Sequence, residues 1–240
     1  MSQNKILINK KKKSVLLIHG FTASTQEMEN LAKVLSKKYK VHVPLLPGHN
    51  TTETEFSKTN ANMYYEHVLK EYESMRNPFA VLGLSFGSML AIKLASEKKV
   101  SKLVLLAPAG KFKFYNKFMP VLRLFTNKIS KIKTKTGYPW DLRKKESAKI
   151  RIAYDYVLLN QFIDVMRFSK KVLKLIKKIK SDTLIIHSIL DRTTPISGAK
   201  KIFKNLNSKK RFITLHKSGH IITWDYDSKL VLKEIEKFLE

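Results

Sequence analysis

The chain of 240 residues contains no cysteine. That excludes a disulfide framework, a thiolate metal site and a cysteine nucleophile. Glycine and proline are scarce, at eight and seven residues, and no internal repeat or low-complexity domain is present. No apolar run reaches the roughly 18 residues that a membrane-spanning helix needs. Residues Met1–Lys13 carry no stretch of signal-peptide character, so the expectation is a cytoplasmic protein. Acid is also short: 19 Asp and Glu stand against 47 Lys and Arg, a formal net charge of +28.

So basic a chain invites a polyanion as partner. The excess, however, is 40 Lys and only 7 Arg, whereas base and phosphate recognition favours the bidentate fork of arginine. The lysines are spread over every segment. No specific nucleic-acid partner is therefore expected; the charge reads first as compositional and next as suited to an anionic membrane surface. Apolar residues make up 43% of the chain, enough for a sizeable core in one α/β domain with an insertion.

Short apolar runs alternate with amphipathic ones. Strands are expected at Ile6–Ile8, Val15–Ile18, Val41–Leu46, Ala80–Leu84, Leu103–Ala107, Thr183–Ile189 and Phe212–Leu215. Most are continuously apolar, as strands covered on both faces are. Helices are expected at Gln26–Lys37, Ala61–Met75, Ser85–Glu97, Ser197–Asn205 and Tyr226–Leu239. The alternation predicts a mostly parallel central sheet with helices on both faces. It breaks at Lys111–Phe168, which shows no buried strand yet holds 11 of the 24 aromatic residues in 58 positions. This density predicts a small helical cap, 111–168, inserted into a catalytic domain formed by 1–110 and 169–240. Lys10–Lys13 reads as an exposed turn between two strands.

Five of the eight glycines fall in phrases at strand ends: His19-Gly20-Phe21, Pro47-Gly48-His49, Gly83-Leu84-Ser85-Phe86-Gly87 and Ser218-Gly219-His220. The third joins an expected strand to an expected helix. That is the setting of a strained turn that lifts a serine hydroxyl clear of a sheet, onto a helix N-terminus. The plain alternative for Ser85 is a helix N-cap. A serine hydroxyl needs a base. Of seven histidines, His42 and His187 fall within strands and read as buried structural residues, and His67 as a helix packing residue. His216 closes the last strand, while His19 and His49 shape loops at the site edge. His220 alone is placed to reach Ser85 from the same sheet edge. Asp191, just past Thr183–Ile189, is the carboxylate expected to orient it; a turn role or pairing with Arg192 is the alternative. Asp225 and Asp227 read as caps of the last helix. An oxyanion needs preorganised donors, expected from the backbone N–H groups of Phe86 and Phe21. The side chains of Phe21, Phe86, Phe112, Phe114, Met119 and Trp140 are candidates for an apolar substrate pocket, with core packing as the alternative. From Lys111 to Lys135 there are eight Lys and Arg and no acid, a pattern that fits contact with anionic lipid.

These phrases, in the order Ser85, Asp191, His220, resemble the α/β-hydrolase superfamily, and within it the small bacterial carboxylesterases and monoacylglycerol lipases. The resemblance spans residues 19 to 222. It implies a Ser-His-Asp triad, an oxyanion hole at Phe21 and Phe86, a small cap over an acyl pocket, and no metal or cofactor. Ser88 stands where the family often has glycine. A serine at position 85 argues against the related dehalogenases and epoxide hydrolases, which need a carboxylate there. Hydrolysis of short or medium acyl esters or monoacylglycerols is the expected activity. A thioesterase, amidase, acyltransferase or carbon–carbon hydrolase on the same fold, or a catalytically silent binding protein, is the alternative. Oligomeric state is not legible.

Overall fold

A computed structural model describes residues 13–75, 78–112 and 142–240 in full, and the backbone of residues 5–7 and 131–133. Among the described residues the central sheet has seven strands: β1 (Lys5–Leu7), β2 (Ser14–Ile18), β3 (Lys40–Val43), β4 (Ala80–Leu84), β5 (Lys102–Leu106), β8 (Asp182–Ser188) and β9 (Lys210–Leu215), in the order β1-β3-β2-β4-β5-β8-β9. All neighbours run parallel except the edge strand β1, which pairs antiparallel with β3.

Alternate residues of each strand feed two separate cores. Leu16, Ile18, Val81, Leu103 and Leu105 face one side, beneath helices α3 (Ala61–Ser74), α4 (Phe86–Glu97), α6 (Leu159–Val172) and α7 (Ile196–Asn205). Val15, Leu17, Leu82, Val104 and Leu106 face the other, beneath α1 (Glu29–Leu35) and α8 (Ser228–Leu239). With both faces covered, neither can be polar, which is why the strands read as unbroken apolar runs. Helix α4 buries nine of its twelve residues, as a helix enclosed on nearly every side must. Helix α3 buries the stripe Ala61, Tyr64, Tyr65, Val68 and Tyr72, and the Asn60 side chain caps it by accepting from Met63 N–H at 3.0 Å.

Chain order places the functional phrases. From β2 the chain passes to β3 at one side, then crosses back to β4 on the other. The loops after β2 and β4 thus diverge at the carboxyl edge, the crevice where open α/β sheets bind ligands.

Several elements differ from the sequence expectation: β3 stops at Val43 rather than Leu46, β9 begins at Lys210 rather than Phe212, and a short helix, α2 (Glu53–Ser57), stands where none is expected. The segment expected as Gln26–Lys37 starts with a 3-10 turn, Thr25–Met28, before α1. The last helix begins at Ser228, not Tyr226. Among the described residues of 111–168, expected as a helical cap, there are α5 (Lys145–Ile150) and also a two-stranded antiparallel ribbon, β6 (Lys131–Lys133) with β7 (Tyr156–Leu158). Such a short ribbon, half exposed along β7, leaves no buried apolar run for periodicity to find. Helix α6 runs on past residue 168, with Val165, Phe168 and Val172 in the core shared with α4. Phe114, Met119 and Trp140, and most of the Lys10–Lys13 turn, lie outside the described residues.

Candidate active site

Ser85 sits between β4 and α4 at φ 55° and ψ −116°, a conformation that costs an ordinary residue about 1–3 kcal/mol. The surrounding backbone enforces it. Ser85 N–H donates to Leu106 C=O at 2.8 Å, and Ser85 C=O accepts from Ser88 N–H at 3.1 Å and Ala109 N–H at 3.3 Å. The two glycines of the phrase have a steric reason. A Cβ on Gly83 would lie 2.2 Å from Gly87 O, and one on Gly87 would lie 2.3 Å from Ile18 O. Only glycine lets β4, α4 and β2 approach this closely. Ser88, the departure from the family pattern, is a further tie: its Oγ donates to Gly83 C=O at 2.6 Å and to Leu106 C=O at 3.2 Å.

His220 meets Ser85 from the loop after β9. Its Nε2 is 2.8 Å from Ser85 Oγ, and its Nδ1 is 2.7 Å from Asp191 Oδ2. Asp191, on the loop after β8, is buried. Its Oδ1 accepts from Thr193 N–H at 2.9 Å and Thr194 N–H at 2.7 Å, and its Oδ2 accepts from Thr194 Oγ1 at 2.9 Å. Burial alone would raise this carboxyl's pKa. The charge of His220 and the hydrogen bonds from His187 and His220 outweigh it and hold the group well below the usual carboxylate range. Three residues expected from separate strand ends are thus joined in one hydrogen-bonded line.

His187 reads from the sequence only as a buried strand residue. It is fully buried, but its Nε2 lies 3.2 Å from Asp191 Oδ2 and 2.9 Å from Thr194 C=O. The available signal was its i,i+4 spacing to Asp191 around a strand end. Asp225 and Asp227 correct a second reading. Asp227 occupies the N-cap position of α8, yet its side chain makes no cap bond. Its Oδ2 instead accepts from Lys217 and Ser218 N–H, each at 2.9 Å. Asp225 Oδ2 accepts from Gly219 N–H at 2.7 Å. Both carboxylates hold the loop that carries His220.

The loop after β2 is fixed by His19. Leu46 N–H donates to His19 Nε2 at 3.0 Å, so the ring proton is on Nδ1, which donates to Gly20 C=O at 2.8 Å. Across a trans peptide, the N–H of Phe21 points opposite to that carbonyl. Gly20 itself lies against the serine: a Cβ there would be 3.5 Å from Ser85 Cβ. Phe86 is the first residue of α4, where an N–H has no intrahelical acceptor. The Phe86 ring is buried and the Phe21 ring half-buried, their centroids 6.3 Å apart. Phe56 and Phe162 flank Phe21 at 5.5 and 6.5 Å, and Phe112 stacks edge-on to Phe162 at 5.5 Å. The surface beside the serine is therefore aromatic. Among the described residues no group of three His, Asp or Glu is arranged to hold a metal ion, and no helix is long and apolar enough to cross a membrane.

Residues 9–227 match the family described as serine aminopeptidase, S33. The carboxylesterase of Bacillus subtilis (strain 168) is 24% identical over 234 residues, covering 95% of this chain and 92% of its own length. The thermostable monoacylglycerol lipase of Bacillus sp. (strain H-257) is 25% identical over 230 residues, covering 93% and 89%. A solved structure from the metagenome-derived lipolytic enzymes LipS and LipT superposes with a TM-score of 0.88 at 22% identity, covering 99% of this chain and 97% of that one. The chain belongs to the serine aminopeptidase S33 family and is a lipase-type serine hydrolase of the α/β-hydrolase fold.

His19 and His49 titrate in a way that couples the site to stability. Burial lowers His19 to about 4 and His49 to about 3. Below pH ~6.5 the unfolded chain takes up protons on these residues that the folded chain refuses, so their contribution is full above that pH and is lost as pH falls towards 4. Asp191, with its lowered pKa, stays charged across this window. Urea unfolding is expected to show the pair costing of order 3 kcal/mol between pH 6.5 and 5. Stability that stays flat over that range contradicts it.

Proposed function

We propose that this chain is a carboxylesterase that cleaves short or medium acyl esters or monoacylglycerols, with Ser85 as nucleophile, His220 as general base and acid, and Asp191 as its orienting carboxylate. The observation that carries the reading is the continuous line Ser85 Oγ–His220–Asp191 at 2.8 and 2.7 Å, on a serine held at positive φ. With its Nδ1–H donated to Asp191, His220 presents the Nε2 lone pair to the serine hydroxyl. Nε2 takes the proton as Oγ attacks the ester carbonyl, and the N–H groups of Phe21 and Phe86 bind the resulting oxyanion. His220 then gives the proton to the departing alcohol as the C–O bond breaks, leaving an acyl group on Ser85. A water molecule loses its proton to Nε2, attacks the acyl carbonyl, and the acid departs as the proton returns to Ser85. Asp191 stabilises the imidazolium in both halves.

Two features support an ester over the peptide that the family's description names. An aminopeptidase must bind a substrate ammonium, which needs a carboxylate. Among the described residues around Ser85, the carboxylates of Asp191, Glu27 and Asp225 are all engaged by protein donors. The side chains next to the serine are aromatic, which suits an acyl chain. Phe21 and Phe86 line this pocket in the same reading, which takes residues 1–110 and 169–240 as the catalytic domain and 111–168 as the insertion; Trp140 lies outside the described residues. Against a p-nitrophenyl ester series from acetate to palmitate, activity is expected to peak at one chain length. It should fall by at least about a thousandfold in Ser85→Ala. Activity on no ester, in a folded protein that a fluorophosphonate still labels at Ser85, would overturn the esterase assignment in favour of another acyl chemistry. Failure of labelling as well would overturn the triad.

We also propose that the enzyme works from the cytoplasm and touches the anionic surface of the membrane that supplies such esters. Ile150 and Ile152 are 64% and 47% exposed, beside exposed Lys145 and Lys149. An apolar pair flanked by lysines suits an interface where anionic headgroups and acyl chains meet. Sedimentation with vesicles is expected to show binding to phosphatidylcholine containing phosphatidylglycerol and little to phosphatidylcholine alone, weakened by Ile150→Ser with Ile152→Ser. No preference for the anionic vesicles removes the proposal.

A further inference from the structure

The insertion does more than lie beside the site: residues 142–154 are tied into both halves of it through buried carboxylates. At one end, Asp225, 1% exposed, accepts from Arg143 N–H at 2.8 Å and Lys144 N–H at 2.9 Å while also holding Gly219 N–H, next to His220. At the other end, Glu27 has a side chain only 2% exposed. Its Oε2 accepts from Gly20 N–H at 3.2 Å, and its Oε1 accepts from Arg151 Nε at 3.0 Å and from the Arg151 guanidinium again at 2.5 Å. Backbone ties complete the seating. Ile152 N–H donates to Gln26 Oε1 at 2.6 Å, and Tyr154 N–H donates to Thr22 C=O at 2.9 Å.

Gly20 is the residue whose placement matters. A Cβ built on it would lie 3.1 Å from Glu27 Oε2 and 3.5 Å from Ser85 Cβ, so the carboxylate and the nucleophile flank it. His19 fixes its carbonyl and Glu27 its N–H, which together set the direction of the next N–H, that of Phe21. We propose that Glu27 is a positioning residue for the oxyanion donor at Phe21, and that Arg151 makes this conditional on the seating of the 142–154 strap. A buried carboxylate without its guanidinium is unstable where it stands. Displacing the strap therefore frees Glu27 to turn away from Gly20, and the donor loses its aim. Loss of the Arg151 contact alone leaves the serine, histidine and aspartate in place, because the Asp225 ties to Arg143, Lys144 and Gly219 persist, but leaves a poorly formed oxyanion hole, so turnover depends on the seating of the Arg151 end of the strap. This inference rests on the ester-hydrolase reading above, since it assigns the Phe21 N–H to the oxyanion.

The test is a cycle of Arg151→Gln, Glu27→Gln and the double variant, with Arg151→Lys as the conservative change. Each is measured for kcat and KM on the best ester of the series, for the rate of fluorophosphonate labelling, and for its melting temperature. Arg151→Gln is expected to lower kcat and the labelling rate together by at least about tenfold, the scale of a misplaced oxyanion donor, with KM within about twofold. Arg151→Lys should recover part of the loss, as should added guanidinium ion with Arg151→Gln. The double variant should be no worse than the poorer single. A folded Arg151→Gln protein with wild-type kcat and labelling rate overturns the inference, as does a loss confined to KM or fully additive single effects. If Glu27→Gln fails to fold, the Arg151 variants and guanidinium rescue decide alone. A wild-type protein that neither turns over esters nor takes the phosphonate fails at the ester-hydrolase reading itself, and the inference falls with it.

Discussion

The site depends on how closely three backbones can pass one another. Ser85 is held at φ 55° because β4 turns directly into α4 while α4 presses on the end of β2. That contact is so tight that a single Cβ on Gly83 or Gly87 would sit inside van der Waals distance of main-chain atoms. The same turn projects the serine hydroxyl from the sheet, sets Phe86 N–H at a helix start, and brings Gly20 against Ser85. Loosening it would lose the exposure of the Ser85 hydroxyl and the two expected oxyanion donors together, which is why the glycines are spent there in a chain with only eight.

Scarce acid is used in a similar way. With 19 carboxylate residues against 47 bases, most acids could serve as surface counter-charges. Yet Asp191, Glu27 and Asp225 are buried, and each holds one part of the site: the His220 ring, the Gly20 loop and the Gly219 loop. A buried carboxylate is tolerable only when its oxygens are fully engaged, and each engages several donors from separate segments. Such groups fix relative position strongly because any shift of one donor leaves charge unsatisfied. The machinery is thus braced by ions in a fold otherwise packed by apolar contact.

The positions of the central strands along the chain and the residues of the line Ser85–His220–Asp191 are legible in the sequence because each signal is local, whereas the order of the strands within the sheet is not. A covered strand reads as an apolar run, and a strained turn as glycines at fixed spacing. What escaped is set by tertiary neighbours. The second imidazole on Asp191, His187, looks like any buried strand residue until the loop after β8 folds back. Asp225 and Asp227 stand where helix caps belong, but the His220 loop competes for their oxygens and wins. Glu27 and Arg151 are 124 residues apart, and neither lies in a recognisable phrase. The β6–β7 ribbon, three residues on each strand, is too short to leave a periodic pattern.

The proposed mechanism requires Ser85 to carry the acyl group between the two halves of the reaction. It is tested most directly by mixing the enzyme with excess p-nitrophenyl ester and quenching in acid before steady state. A burst of nitrophenol near one equivalent should accompany a mass increase of one acyl group. Fragmentation of the peptide holding both Ser85 and Ser88 should place that group on Ser85. Turnover without a burst or adduct, or an acyl group on Ser88 or elsewhere, would contradict the account.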